Sequence, residues 1–167
     1  MTINIAISGF GRIGRLVLRA LYESKRTDIK VVAINCSRGD IKSHAHLIKY
    51  DTAHGRFEGE VKTTEDYFII NGDKIKYLNT KNPEELTWKD HKVDVVLECT
   101  GAFRGKSSSS FHIKQGAKRV LISAPGEKDV DATIVYGVNH NILKSTDLVV
   151  SNASCTTNGL APIAKVI

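Results

Sequence analysis

The sequence predicts an α/β fold, a doubly wound and mostly parallel sheet with a small hairpin insertion. Short, largely apolar runs alternate along the chain with segments whose apolar residues recur at helical spacing. Apolar runs of this kind suit strands that are buried on both faces of a parallel sheet, and their alternation with helices is typical of a doubly wound fold. The chain has 167 residues, of which 41% are hydrophobic, so it fits one domain with an ample core.

The first elements predict a β–α–β unit. Residues 3–7 alternate in side-chain type and lead into a glycine-rich turn at 9–14. From 13 to 24 the apolar residues recur at helical spacing, and 29–35 form an almost continuous apolar run. This order places a helix between two neighbouring parallel strands.

The rest of the chain continues the alternation. Residues 67–78, with Asn71-Gly72-Asp73 at their centre, predict a β-hairpin. Helices are predicted over 44–49 and over 107–116, where Gly116 marks the end, and a last helix opens near 154. Further strands are predicted over 93–101, 118–123, 133–137 and 148–151.

Composition excludes several function classes. The sequence has no run of 18 apolar residues, so we expect no membrane span. The N-terminal residues show no signal-peptide pattern, and the three cysteines are widely spaced without CxxC pairing. We therefore expect neither a disulfide framework nor a zinc site. We expect a reducing compartment, with the cytoplasm as the default location.

The net charge of +6 is spread along the chain. The 24 Lys and Arg residues do not gather in a basic patch studded with aromatic residues. Nucleic acid is therefore not the expected primary partner, although a positive field also suits phosphorylated small molecules.

The glycine-rich turn predicts a dinucleotide site in a Rossmann-type sheet. Gly9, Gly11 and Gly14 form a GxGxxG pattern that follows a strand and opens a helix. Gly9 permits the tight turn, Gly11 lets the backbone approach a pyrophosphate, and Gly14 lets the helix pack on the strand. The helix N-terminus favours the anionic bridge of NAD or NADP.

The end of the second predicted strand leaves the choice of cofactor open. A carboxylate for the ribose 2′-hydroxyl is expected here, but the residue after Asn35 is the neutral Cys36. Ser37 or Arg38 could reach a 2′-phosphate, which favours NADP. Alternatively, Asp40 supplies the carboxylate, or Asn35 and backbone groups hold the ribose of NAD.

Cys155 is a candidate nucleophile. It follows a short apolar strand and begins a helix, where positive potential stabilises a thiolate. The hydroxyls of Ser154 and Thr156 could bind phosphate or cap the helix. A purely structural cysteine remains the alternative, and Cys36 and Cys99, at strand ends, need only be buried hydrophobic residues.

With these motifs in order, the chain resembles the N-terminal half of phosphorylating glyceraldehyde-3-phosphate dehydrogenases, and of their close relatives the erythrose-4-phosphate dehydrogenases. The resemblance covers essentially all of the chain. Its motifs are GFGRIGR at 9–15, KYDTAHGRF at 49–57, ECTG at 98–101, ISAP at 122–125, YGVN at 136–139 and SNASCTTN at 151–158.

The resemblance implies roles for individual residues. Cys155 would be the nucleophile that forms a hemithioacetal and then a thioester, and Ser154 and Thr156 would contact the substrate phosphate. Inorganic phosphate would release the acyl phosphate, and the intact enzyme would be a homotetramer. The implied cofactor contacts, besides the turn glycines, are Arg12, Ile13, Asn35, Cys36, Lys81, Thr100, Phe103 and Ser123.

Three residues depart from the family pattern. Ser8 replaces an asparagine, Cys36 replaces the common aspartate, as in relatives that accept NADP, and Gly159 replaces a cysteine. Gly159 also places a poor helix former in the last helix, at a cost of about 1 kcal/mol relative to alanine.

The resemblance places the general-base histidine after Ile167. The six histidines of this chain are not expected to replace it: His54 belongs to the HGRF motif, and the others lie in segments that indicate surface positions, namely His44, His46, His91, His112 and His140. The last helix is still in apolar period at Ile167, so we expect a longer protein and an isolated chain that binds dinucleotide weakly without catalysing.

The expected division is a dinucleotide-binding domain at 1–151 and the start of the catalytic-cysteine helix at 152–167. Three alternatives stay open. The parent enzyme could act on erythrose 4-phosphate, the chain could be a stand-alone nucleotide-binding module, or it could also bind RNA in the same groove.

Overall fold

The computed structural model describes residues 2–167 and confirms the doubly wound α/β fold. The helices are α1 (Arg12–Glu23), α2 (Ile41–Lys49), α3 (Lys106–Ser109), α4 (Phe111–Lys114) and α5 (Cys155–Val166). The strands are β1 (Ile3–Ser8), β2 (Ile29–Asn35), β3 (Tyr50–Asp51), β4 (Gly55–Arg56), β5 (Val61–Thr63), β6 (Tyr67–Ile70), β7 (Asp73–Leu78), β8 (Val95–Glu98), β9 (Arg119–Ile122), β10 (Ala132–Thr133) and β11 (Val149–Ser151).

The main sheet has the strand order β10-β11-β9-β8-β1-β2-β7-β6-β5. The strands from β10 to β7 pair in parallel, whereas β7, β6 and β5 pair antiparallel. The predicted hairpin is therefore present, as an extension of one sheet edge. The chain leaves β1 for β2 on one side and returns to β8 on the other, and such a switch point forms a crevice at the carboxyl ends of the strands.

Apolar side chains cover both faces of the sheet. Ile7 and Ile34 pack with Leu18 of α1 on one face, while Ala6 and Ala33 belong to a cluster around Trp88 on the other. Successive strand residues point to opposite faces, which explains why these strands read as continuous apolar runs.

Two predicted elements are wrong in extent. The helix predicted over 107–116 is broken at Ser110 into α3 and α4, because Ser109 Oγ and Ser110 Oγ donate to the carbonyl oxygens of Gly105 and Ser107. The strand predicted over 133–137 is only β10, since a turn follows in which Val135 N donates to Asn139 Oδ1.

Helix α2 begins earlier than predicted, at Ile41, because the Asp40 carboxylate accepts hydrogen bonds from the backbone N–H groups of Lys42 and Ser43. Helix α5 is present as predicted, and its apolar side chains Leu160 and Ile163 are exposed. In residues 2–167, no helix has both the length and the apolar character needed to cross a membrane.

Candidate functional site

A cleft of about 560 Å³ opens at the carboxyl ends of β1, β2 and β8. Its volume lies within the range of small-molecule sites, roughly 300–1,000 Å³. The predicted cofactor residues that line it are Gly9, Gly11, Asn35, Cys36, Lys81, Thr100 and Phe103. The structure thus brings together residues from four separate segments of the sequence at the switch point.

The glycine-rich turn has the geometry that its pattern predicts. Gly9 has a φ of +91°, and a Cβ there would lie 2.6 Å from Thr100 N. A Cβ at Gly14 would collide with the carbonyl oxygen of Gly9 and lie 3.0 Å from Ile7 Cγ2. A Cβ at Gly11, in contrast, would meet no atom within 4 Å, so open space remains beside the turn.

Helix α1 presents a free N-terminus to this space. Its N-cap is Gly11, no side chain of the described residues caps it, and its first turn contains no acidic residue. The first backbone N–H groups of a helix carry positive potential and lack intrahelical acceptors. The turn therefore suits an anionic group such as a pyrophosphate.

The side chain of Asn35 stabilises one wall of the cleft through hydrogen bonds to Thr80. Its side-chain amide donates to Thr80 O at 3.2 Å and accepts from Thr80 N at 3.2 Å. This pair of bonds ties the end of β2 to the loop after β7, which carries Lys81 into the lining. The Asn35 amide is thus engaged with the backbone.

Cys36 lies at the next position, buried beside His44. Burial alone raises the pKa of the Cys36 thiol, but interactions with the neighbouring His44 and with backbone groups outweigh it and lower the pKa to about 7. His44 Nε2 is 2.8 Å from Arg38 O, and its Nδ1 has no hydrogen-bond partner among the described residues. The interaction with the neighbouring Cys36 raises the pKa of His44. Cys36 is therefore more than a buried hydrophobic residue.

The alternative carboxylate, Asp40, is engaged elsewhere. Besides capping α2, it accepts a hydrogen bond from Ser43 Oγ at 2.6 Å, and these bonds from Ser43 lower its pKa. Ser37 and Arg38 line the cleft, while Asp40 does not. The described cleft therefore presents no carboxylate beside Cys36.

Three predicted cofactor residues lie outside the lining of this cleft. Arg12 is exposed at the start of α1 and forms an ion pair with Asp51 at 3.0 Å. Ile13 is half exposed on the same helix, and Ser123 follows β9, where its N–H donates to Glu98 O at 3.0 Å. Their contacts with a cofactor stay a prediction.

Cys155 is exposed at the first position of α5. Ser154 caps this helix through a bond from Thr157 N to Ser154 Oγ at 2.9 Å, and the same Oγ is 2.9 Å from Thr156 Oγ1. Ala153, with a φ of +56°, turns the chain from β11 into the helix. The Ser154 hydroxyl thus performs the capping role, and its contact with a phosphate stays a prediction.

One residue of the cleft and the burial of two histidines were not predicted from the sequence. Arg15 lines the cleft and donates from Nη1 to Phe10 O at 3.0 Å, and its position four residues after Gly11 was an available signal. The surface positions expected for His44 and His112 are wrong, because both side chains are buried. Their polar partners come from other segments, which local polarity does not reveal.

Comparisons with known proteins agree with this geometry. The family model described as "Glyceraldehyde 3-phosphate dehydrogenase, NAD binding domain" matches residues 3–106. Two glyceraldehyde-3-phosphate dehydrogenases of Cupriavidus necator, plasmid and chromosomal, are each 61% identical over 166 residues, which cover 99% of this chain and 49% of the relative. The glyceraldehyde-3-phosphate dehydrogenase of Pseudomonas aeruginosa is 54% identical over 168 residues, 100% of this chain and 50% of the relative. The chain spans about half the length of the curated relatives it matches.

Proposed function

Because the chain belongs to the glyceraldehyde 3-phosphate dehydrogenase family, whose NAD-binding domain it carries, we propose that the cleft at the switch point binds NAD or NADP. The observation that supports this most directly is the uncapped N-terminus of α1, with open space beside Gly11. The pyrophosphate would lie against Gly9 and Gly11. The other proposed contacts are Arg12, Ile13, Asn35, Cys36, Lys81, Thr100, Phe103 and Ser123.

We propose further that the cleft accepts NADP as well as NAD. A carboxylate beside the ribose would repel a 2′-phosphate, but Cys36 stands there and Asp40 caps α2. Arg38 lines the same part of the cleft and offers a positive charge. Below the Cys36 pKa of about 7 the thiol is neutral, so in that pH range this arrangement removes the repulsion and supplies an attraction for the additional phosphate.

Calorimetric titration of this chain with NAD⁺ and NADP⁺ at about pH 6, below the Cys36 pKa of about 7, tests both proposals with a neutral thiol in the wild type. Cys36→Asp should shift the ratio of the two dissociation constants toward NAD⁺, whereas the matched control Cys36→Ser, which adds no charge, should leave the ratio near that of the wild type. Absence of binding by either cofactor contradicts the cleft as the site. An unchanged ratio in Cys36→Asp contradicts the role given to Cys36.

For the full-length protein we propose the oxidation of glyceraldehyde 3-phosphate to 1,3-bisphosphoglycerate, with residues 1–151 as the cofactor domain and 152–167 opening the catalytic domain. The Cys155 thiolate would add to the aldehyde carbon to form a hemithioacetal. Bound NAD(P) supplies the hydride acceptor. Loss of a hydride from the hemithioacetal carbon to this acceptor, and of the hydroxyl proton to a base, would leave a thioester on Cys155. Inorganic phosphate would then attack the thioester, form the acyl phosphate and release the thiolate of Cys155.

The exposed thiol at the first position of a capped helix supports Cys155 as the nucleophile, since a substrate aldehyde can reach it from solvent. Ser154 and Thr156 would contact the substrate phosphate. Their hydroxyls lie 2.9 Å apart beside Cys155, so one anion could contact both.

Kinetics of the full-length protein test this role. Cys155→Ser should abolish turnover and leave cofactor affinity unchanged, because the proposed nucleotide contacts lie elsewhere. The groups hydrogen-bonded around the α5 N-terminus are hydroxyls and the Asn158 amide rather than a base. The 167-residue chain alone should therefore show no dehydrogenase activity in a coupled assay, and near-normal turnover would overturn this.

The substrate, assembly and location belong to the same proposal. The relatives above carry the glyceraldehyde-3-phosphate dehydrogenase name, which favours the triose phosphate over erythrose 4-phosphate. A comparison of kcat/KM for the two sugar phosphates in the full-length protein decides between them. We propose a homotetramer in the cytoplasm for that protein, to be checked by sedimentation and by cell fractionation.

A further inference from the structure

A chain of buried hydrogen bonds lies directly behind Thr100, in the wall of the cleft. Trp88 Nε1 donates to His112 Nδ1 at 2.9 Å, and His112 Nε2 is 2.9 Å from Glu98 Oε2. Thr100 N donates to Glu98 Oε1 at 2.8 Å, and Thr100 Oγ1 donates to the same oxygen. The side chains of Trp88, His112 and Glu98 are at most 1% exposed.

The indole of Trp88 determines the direction of both hydrogen bonds of His112. An indole nitrogen can only donate, so His112 Nδ1 must be the acceptor. The imidazole proton then lies on Nε2 and is donated to Glu98. Glu98 accepts bonds from His112 Nε2, Thr100 N and Thr100 Oγ1, which is the pattern of a carboxylate.

This series of hydrogen bonds ends at Thr100, which lies beside the glycine-rich turn. Thr100 N lies 2.6 Å from the point that a Cβ of Gly9 would occupy, so the Thr100 backbone packs against the glycine-rich turn. Phe111, the neighbour of His112, lines the cleft as well and packs edge-on against Phe103 at 4.8 Å between ring centroids. Shifts of Glu98 or His112 would therefore move the wall that faces the turn.

The bonds also change the role that Thr100 can play. Both of its donor groups, the backbone N–H and the hydroxyl, already point at Glu98. Its hydroxyl oxygen in turn accepts from Ala102 N at 3.0 Å. A contact of Thr100 with a cofactor would therefore be made by its other groups, at a position set by Glu98.

We propose that Trp88, His112 and Glu98 are positioning residues for dinucleotide binding, which hold Thr100 against the glycine-rich turn through a hydrogen-bond chain of fixed direction. This inference rests on the proposed function of the cleft. None of the three side chains needs to touch the cofactor.

A pair of substitutions separates this role from simple burial. In Glu98→Gln, the side-chain oxygen can still accept from Thr100, but its NH₂ group then faces the Nε2–H of His112. If His112 moves its proton to Nδ1, that proton faces the N–H of Trp88 instead. In the Glu98→Gln variant, either tautomer of His112 therefore brings two N–H donors face to face as long as Trp88 is present. Adding Trp88→Phe removes the competing donor and lets His112 accept from the glutamine.

The expected result is a rescue. Glu98→Gln should weaken NAD⁺ binding by this chain roughly tenfold, and Glu98→Gln with Trp88→Phe should regain roughly threefold of that loss. Circular dichroism and thermal unfolding of each variant show whether it folds. The inference is overturned if the changes in binding free energy caused by Glu98→Gln alone and by Trp88→Phe alone add up in the double variant. It is also overturned if Glu98→Gln binds NAD⁺ with the affinity of the wild type.

A measurement on the wild type covers the case in which a variant does not fold. Nitrogen-15 NMR of the histidine side chains should show His112 with its proton on Nε2 and none on Nδ1. Either the other tautomer or an imidazolium overturns the hydrogen-bond direction. If the wild type binds neither NAD⁺ nor NADP⁺ while His112 has the expected tautomer, the proposed function fails instead.

Discussion

Replacing Gly9 or Gly11, in the turn before α1, should have different consequences, although the two glycines are only two residues apart. Gly9 has a φ of +91°, and its missing Cβ would lie 2.6 Å from Thr100 N and 2.8 Å from the carbonyl carbon of Cys99. Gly11 has a φ of −73°, and its missing Cβ would meet nothing within 4 Å. Gly9→Ala should therefore damage the fold, and Gly11→Ala should damage the site.

The magnitude for Gly9→Ala follows from strain and from contact. Placing a residue with a Cβ at positive φ costs about 1–2 kcal/mol. The Cβ would also press on the backbone of two neighbouring residues, which a side-chain rotation cannot relieve, so we expect a total loss of about 3 kcal/mol in the free energy of unfolding. For a chain of this length that corresponds to a fall in Tm of roughly 6–12 °C.

Gly11→Ala is the matched control, since it adds the same methyl group in an ordinary backbone conformation. The loss of a glycine N-cap should cost about 0.5 kcal/mol, or a Tm change of roughly 1–2 °C. The methyl group, however, would project into the space proposed for the pyrophosphate, and we expect NAD⁺ affinity to fall roughly tenfold or more.

Differential scanning calorimetry and titration calorimetry of both variants provide the assay. If Gly9→Ala melts within about 2 °C of the wild type, the strain argued from its φ and its close contacts is absent. If Gly11→Ala binds NAD⁺ with wild-type affinity, the pyrophosphate does not approach this turn, and the proposed cleft is occupied in another way.

Two further predictions concern the thiol beside β2 and the cap of α5. In a Cys155→Ser background, alkylation of Cys36 by iodoacetamide should reach half its maximal rate near pH 7, because its pKa is lowered to about 7 and the reactive thiolate forms as the pH rises through that value. His44→Gln should raise the pH at which alkylation of Cys36 is half-maximal, and an unchanged pH would contradict the effect of His44 on Cys36. Peptide mass spectrometry measures the alkylation rates. Ser154→Ala removes the acceptor for Thr157 N and should lower the free energy of unfolding of α5 by about 1 kcal/mol, whereas Ser154→Asp should retain the cap. Hydrogen exchange at Thr157 measures this, and equal protection in Ser154→Ala would contradict the capping role.

Elements with a strong local signal could be predicted from the sequence alone. Strand β2 occupies residues 29–35 as predicted, and β6 and β7 lie within the hairpin predicted over 67–78. Burial on both faces makes β2 continuously apolar, and the Asn-Gly-Asp turn marks the hairpin. These signals depend only on residues within the element.

Elements that depend on distant partners could not be predicted in the same way. The backbone N–H groups of Lys106 and Ser107, at the start of α3, donate to the carboxylate of Asp129, which lies over 20 residues later in the sequence. The serines that follow then bond back to the preceding turn and break the helix at Ser110. A pattern of helical spacing over 107–116 contains neither the cap nor the break.

The same division holds within the site. The positions of Gly9 and Gly11 before α1 and of Cys155 at the first turn of α5 could be predicted, because the local sequence encodes a tight turn and a helix N-terminus. The low pKa of Cys36 could not, since it depends on His44, which α2 brings back against the end of β2.

The one local sign of the buried hydrogen bonds was an acidic residue, Glu98, inside an apolar segment. Glu98 lies within the run predicted as a buried strand over 93–101, and a carboxylate is rarely buried there without donors. That sign indicates that donors must exist, and Thr100, two residues on, is a local candidate. It cannot identify His112, because an imidazole becomes a donor at Nε2 only when another group occupies Nδ1, and that group is Trp88 in a separate segment. A histidine in a buried network is therefore defined by its partners, and its role can be derived only after the fold has brought those partners together.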